Sequence, residues 1–194
     1  VGADGNTYTN VYVSDAGGAI NVPALSYGTY KFKEVCPPKD YIVTNESTTF
    51  VLSSDLEEQI VYNAKEVEKR GTIEIIKKDA DNPDIFLKDA RFDLYRYNSA
   101  GDLEFVAGST TDSGGTIQFQ EFPYGTYDVV ETGLPKDYRI FLEDNNFGVE
   151  ITDSKGTHHT GARINKDDGR LHFELTIDEN TTGQFTGGKV VVSV

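Results

Sequence analysis

Across 194 residues, 32 Asp and Glu outnumber 18 Lys and Arg, and the formal charge of -14 repels nucleic-acid phosphates. Cys36, the single cysteine, excludes a disulfide framework within the chain. No apolar run approaches the ~20 residues of a membrane-spanning helix, whereas 37% hydrophobic residues, with 11 Phe and 11 Tyr, suffice for β cores.

The chain opens on an internal repeat. Asp15, Gly17, Gly18 and Ile20 return 97 positions later as Asp112, Gly114, Gly115 and Ile117. The string YGTYKFKEVCPPKDY (27–41) returns as YGTYDVVETGLPKDY (124–138), again at 97. After the first copy, residues 55–63 read as an acidic bend followed by a strand, and 67–70 as a short connector. Alternating runs at 72–76, 92–97, 116–119, 127–130, 171–177 and 189–194 then predict strands, separated by turns such as Asp112-Ser113-Gly114-Gly115 and Asp167-Asp168-Gly169. No helical period exceeds a turn or two, so the expectation is all-β, in antiparallel sandwiches.

Several apolar stripes end in a polar group on the inward face, because alternate residues of a strand share one face. Glu131 follows Tyr127 and Val129, Glu34 follows Tyr30 and Phe32, Lys77 follows Ile73 and Ile75, and Asn63 follows Val61. Three readings stand: strand ends turning to solvent, buried ion pairs, or covalent chemistry. In the third, burial lowers a lysine pKa and raises a glutamate pKa. The free amine then attacks an asparagine side-chain carbonyl, the glutamate shuttles protons and ammonia leaves, with packing supplying the proximity.

The combination GTIEIIKKD (71–79), ARFDLY (90–95), Thr111-Asp112 with Gly115-Thr116-Ile117, and YDVVETGLPKDY (127–138) resembles the Cna protein B-type domain. That domain recurs in Gram-positive pilins and collagen-adhesin stalks, including SpaA-like pilin modules, and 127–138 is similar to the pilin E-box. The resemblance implies tandem prealbumin-like (reverse immunoglobulin-like) β-sandwiches. Residues 1–68 would form an incomplete first module lacking its opening strands, which would be absent, disordered or supplied by another chain. Residues 69–194 would form a second, with an insertion near 143–169. It further implies Lys77 as the cross-linking lysine and Glu131 and Glu34 as proton shuttles, with Asn63 as an acceptor on a last strand. The second copy's last strand at 189–194 reaches no asparagine, and Asn180 follows a strand in a turn.

The implied function is a structural stalk or pilus module, extracellular and wall-attached through other regions, whose partners are neighbouring modules or subunits. The alternative is an adhesin that binds a host protein or glycan through the long 143–169 loop. Other signals are weak. His158 and His159 are adjacent and point oppositely on a strand, a poor chelate with Asp153. Asp79, Asp81 and Asp84 lack calcium-loop spacing, and Cys36 lacks supporting catalytic motifs. No phosphate loop or Ser-His-Asp arrangement stands out. The expectation is therefore a non-enzyme with no cofactor, no metal, no nucleic-acid partner and no membrane insertion in this segment.

Overall fold

A computed structural model describes residues 9–43, 47–54, 60–98, 100–139, 148–165, 167–184 and 187–194. The chain divides into two compact units, Val1–Val67 and Glu68–Val194.

The second unit is a two-layer β-sandwich. One sheet has the order β11-β10-β14-β5-β8. Its strands are β5 (Arg70–Ile76), β8 (Thr116–Pro123), β10 (Gly148–Asp153), β11 (Gly156–Gly161) and β14 (Lys189–Ser193). The other has the order β12-β13-β9-β6-β7. It is built from β6 (Arg91–Tyr97), β7 (Leu103–Thr110), β9 (Gly125–Gly133), β12 (Arg163–Ile164) and β13 (Leu171–Ile177). Among the described residues, all pairings in the two sheets are antiparallel except β14 against β5, which is parallel. Burial follows the period-two pattern: Ile73 and Ile75 of β5 face Phe92 and Leu94 of β6 and Tyr127 and Val129 of β9, all inaccessible to water. Each such side chain contributes roughly 1.5–3 kcal/mol. One helical turn, α1 (Glu179–Thr182), is held by a capping box between Asp178 and Thr181 and stopped by Gly183 at φ 68°.

Among the described residues, four short strands precede Lys69. β1 (Gly28–Lys33) pairs with β3 (Ser47–Leu52), placing Tyr30 opposite Phe50 with their rings stacked at 5.9 Å. β2 (Tyr41–Val43) pairs with β4 (Glu66–Glu68). No described residue before Lys69 is buried.

Two expectations need correction and a third is refined. Residues 60–65 form no strand, although the Tyr62 ring lies 6.4 Å from that of Phe32 in β1, and the acidic bend expected at 55–59 lies outside the described residues. The segment 67–70 does contain the boundary between the two units, and β4 and β5 take up three of its four residues while buried Lys69 reaches Glu179 at 3.0 Å. Much of the 143–169 insertion is sandwich rather than loop. The β10–β11 hairpin joins the first sheet through β14 and contributes buried Val149 and Ile151.

Candidate functional site

Lys77 stands one residue past β5, held by its backbone. Its N–H donates to Gly115 O and its carbonyl accepts from Leu87 N, both at 2.9 Å. Gly115 is required there. It sits at φ 69°, and a Cβ would come within 2.9 Å of both Lys77 O and Leu87 N. Glu131 points inward from β9, in register with Phe92 on one side and Leu171 on the other.

Across the sandwich Lys77 Nζ meets Glu131 Oε2 at 3.2 Å. The two side chains are 15% and 1% exposed. Burial pushes the Glu131 carboxyl up, and the adjacent Lys77 ammonium opposes that only in part. Glu131 Oε1 is buried and has no hydrogen-bond partner, so the site holds an unused acceptor beside the amine. Val194 runs directly alongside Lys77: its N–H donates to Ile76 O at 2.9 Å and its carbonyl accepts from Lys78 N at 2.8 Å.

The E-box-like stretch clamps the lysine strand at two points. Besides the Glu131 contact, Tyr138 Oη donates to Asp79 Oδ2 at 2.7 Å, two residues beyond Lys77. That bond holds the Asp79 carboxyl low and the Tyr138 phenol high. Tyr127 anchors the start of the stretch by donating to Pro123 O at 2.5 Å, and burial pushes its phenol up to about 12.

The other candidates lie apart from this pair. Glu34 sits just after β1, half-buried, and its carboxyl hydrogen-bonds that of Glu66, whose pKa rises chiefly for that reason. Asn63 is exposed and outside any strand. Asn180 lies in α1, near the Arg70 end of β5, roughly 23 Å of strand from Lys77 at about 3.3 Å per residue. Among the described residues no group of three His, Cys, Asp or Glu could hold a metal ion. The Asp153 carboxylate caps its own turn through Lys155 N, and Cys36 is an exposed free thiol.

One polar cluster escaped the sequence. His172 is buried, its Nδ1 2.9 Å from Asp128 Oδ2 and its Nε2 3.1 Å from Asp168 Oδ2. It ties the turn before β13 to β9. The signal was Asp128, which alternation sends to the face opposite Tyr127 and Val129.

With the cross-sheet pair placed, the comparisons fall into line. The sequence profile of the SpaA prealbumin-like fold domain matches residues 1–66 and again 71–167. The chain belongs to this family. A search of curated protein sequences finds no significant match. Among solved structures, the SpaA-type chain is similar to the Bacillus anthracis TIE protein, at 22% identity and a TM-score of 0.54 over 84% of this chain and 37% of that one. It is also similar to BcpA, the major pilin subunit of Bacillus cereus, at 22% identity and a TM-score of 0.42 over 88% and 40%. The shaft pilin SpaA of Lactobacillus rhamnosus GG follows at 18% identity and a TM-score of 0.33, over 93% and 68%. The chain thus spans less than half of the first two proteins, and the TIE likeness bears on fold alone.

Proposed function

We propose that this chain is a structural module of a Gram-positive surface shaft or pilus, in which Lys77 and Glu131 form the reactive pair of a self-made cross-link. The reading places it outside the cell, in line with neighbouring modules or subunits of the same assembly. The observation that carries it is the 3.2 Å contact between Lys77 and Glu131 across the two sheets, with Glu131 at 1% exposure. Burial that raises the Glu131 pKa favours moving the ammonium proton onto the carboxylate, which leaves a neutral amine. That amine attacks an asparagine side-chain carbonyl carbon. The new C–N bond forms, the old C–N bond breaks, and Glu131 delivers the protons that let ammonia leave. The bond would fasten the end of β5 to its parallel neighbour in the same sheet, β14, and resist pulling along the strands. In the first unit Glu34 and Asn63 would take the shuttle and acceptor roles when a lysine strand lies against them.

The acceptor's place in the second unit is beside Val194, whose backbone brackets Lys77. Intact mass therefore tests the reading on two chains, the wild type and Val194→Asn. A loss of one ammonia in Val194→Asn, absent after adding Lys77→Ala or Glu131→Gln, supports the reactive pair. An unmodified mass in Val194→Asn, with the fold intact, reduces Lys77 and Glu131 to an ion pair.

A further inference from the structure

The outer face of a two-layer sandwich meets water, yet on the sheet β12-β13-β9-β6-β7 it carries a nearly enclosed histidine. Leu171 and Phe173 belong to the core, so alternation places His172 between them on the opposite face. Its side chain is 10% exposed, as is that of Asp128. Nδ1 lies 2.9 Å from Asp128 Oδ2 on β9, and Nε2 lies 3.1 Å from Asp168 Oδ2 in the turn that leads into β13. An ionised carboxylate only accepts, so both ring nitrogens must donate, and only the imidazolium has two N–H groups. A neutral ring has one, and would leave one of the two carboxylates facing a lone pair.

The surroundings decide which contact is expendable. Asp128 is fixed by the pairing of β9 between β6 and β13. Asp168 has local support only. Its Oδ1 accepts from Arg170 N at 3.0 Å, and the turn closes through Gly169 N to Asn165 O at 2.7 Å and Asn165 N to Arg170 O at 2.9 Å. Beyond the turn, β12 holds β13 through two register pairs, Arg163 with His172 and Ile164 with Leu171. Other charges face the ring from every side. Arg163 on β12 and Arg170 in the turn are set against Glu174, which lies two residues along β13 and opposite Asp128. On β9 the register partner of His172 is apolar Val130, and one strand further Asp93 is ion-paired with Arg91 at 2.9 Å. Burial pushes the Asp168 carboxyl up, but the Arg170 N–H and the His172 ring outweigh it and hold it below the usual carboxylate range. Asp168 is therefore ionised throughout the range in which an imidazole changes charge, about pH 5 to 8.

We propose that His172 is a proton-operated latch, which pins residues 167–170 and β12 to the sandwich while its ring is charged and releases them when the ring is neutral. The proton supplies the second of the two bonds. The latch is thus closed on the acid side of neutrality and opens as rising pH removes that proton. Leu171, next to the latch, lies opposite Glu131, so the segment that opens adjoins the strand row of the buried carboxyl. The latch needs no cross-link and operates in unmodified chain.

The test follows the ring nitrogens of His172 by nitrogen NMR, and amide exchange, in the full 194-residue chain from about pH 5.5 to 8.5. Both ring nitrogens should carry protons at the acid end and one alone at the alkaline end. Exchange at Asn165, Gly169 and Arg170, corrected for its intrinsic rise with pH, should speed up by about tenfold over that range. Asp168→Asn, at a side chain that is 33% exposed, should remove this step and leave the amides of β9 protected. His172→Gln should hold the same three amides in the faster state at every pH. Three outcomes overturn the latch: a ring with a single protonated nitrogen at the acid end, protection that does not change with pH, or a step of equal size in either variant.

Discussion

Tyr27 and Tyr124 occupy equivalent places in the two copies, and around them the same local details recur. Asp15 and Asp112 close the same turn, each side chain accepting from the backbone two and four residues on at 2.9 Å. Ala24 and Glu121 take φ of 58° and 57°, and Asp40 and Asp137 take 66° and 70°. Tyr30 donates to Ser26 O as Tyr127 does to Pro123 O. Tyr41 N donates to Pro38 O as Tyr138 N does to Pro135 O. All of these need partners no more than four residues away. What differs is everything that needs a distant strand: β8, the second edge of β9 and the lysine facing the glutamate. Local chemistry specifies the turns on its own, while strands form only where their non-local neighbours are present.

The sharpest break in that comparison is a paired truncation. Tyr124→Ala removes a ring that is fully enclosed and whose hydroxyl meets Thr182 Oγ1 at 2.9 Å. It should cost the second unit about 3–5 kcal/mol in denaturant unfolding. Tyr27→Ala removes the same ring from water-exposed surroundings and should shift stability by about 0.5 kcal/mol or less. Equal losses would mean that the first unit has a core of its own.

A second prediction uses pH. In unmodified chain, Lys77→Met leaves the Glu131 charge buried without its counter-ion, at a cost of about 3 kcal/mol near neutrality. The Glu131 pKa is raised in the folded state, so between its unfolded value and that raised value the folded chain holds the extra proton. Stability is then highest below the unfolded pKa and falls as pH rises through the folded one. The Lys77→Met deficit should therefore shrink on acidification from pH 8 toward pH 5, as read from urea midpoints. A deficit that is flat in pH would mean that Glu131 carries no charge at either end.

The repeat, the turns and the inward pair of Lys77 and Glu131 were legible because each rests on short-range pattern or strict alternation. The strand at 60–63 was misread because Ile60, Val61 and Tyr62 have a strand's composition, and composition cannot report whether a neighbour exists. The β10–β11 hairpin was missed although Val149 and Ile151 alternate and Ser154-Lys155-Gly156 marks a turn. Polar residues around that short stretch gave it the look of a loop. The His172 cluster depends on register between β9 and β13, which separates Asp128 from His172 by 44 residues and which no local pattern encodes.

The smallest expected effect separates the two copies most cleanly. Gly18 and Gly115 sit at φ 79° and 69° in matching turns, so an alanine at either carries the strain of a left-handed residue, about 1–2 kcal/mol. Around Gly18 a new Cβ meets nothing within 4 Å. Around Gly115 it meets Lys77 O and Leu87 N at 2.9 Å and Phe86 Cβ at 3.0 Å, all from the β5–β6 segment. Gly115→Ala should accordingly cost about 1–3 kcal/mol more than Gly18→Ala, since the crowding atoms include backbone that cannot swing aside. Urea midpoints of the two variants against wild type measure the difference, and equal losses would mean that the turn of the first unit is as crowded as that of the second.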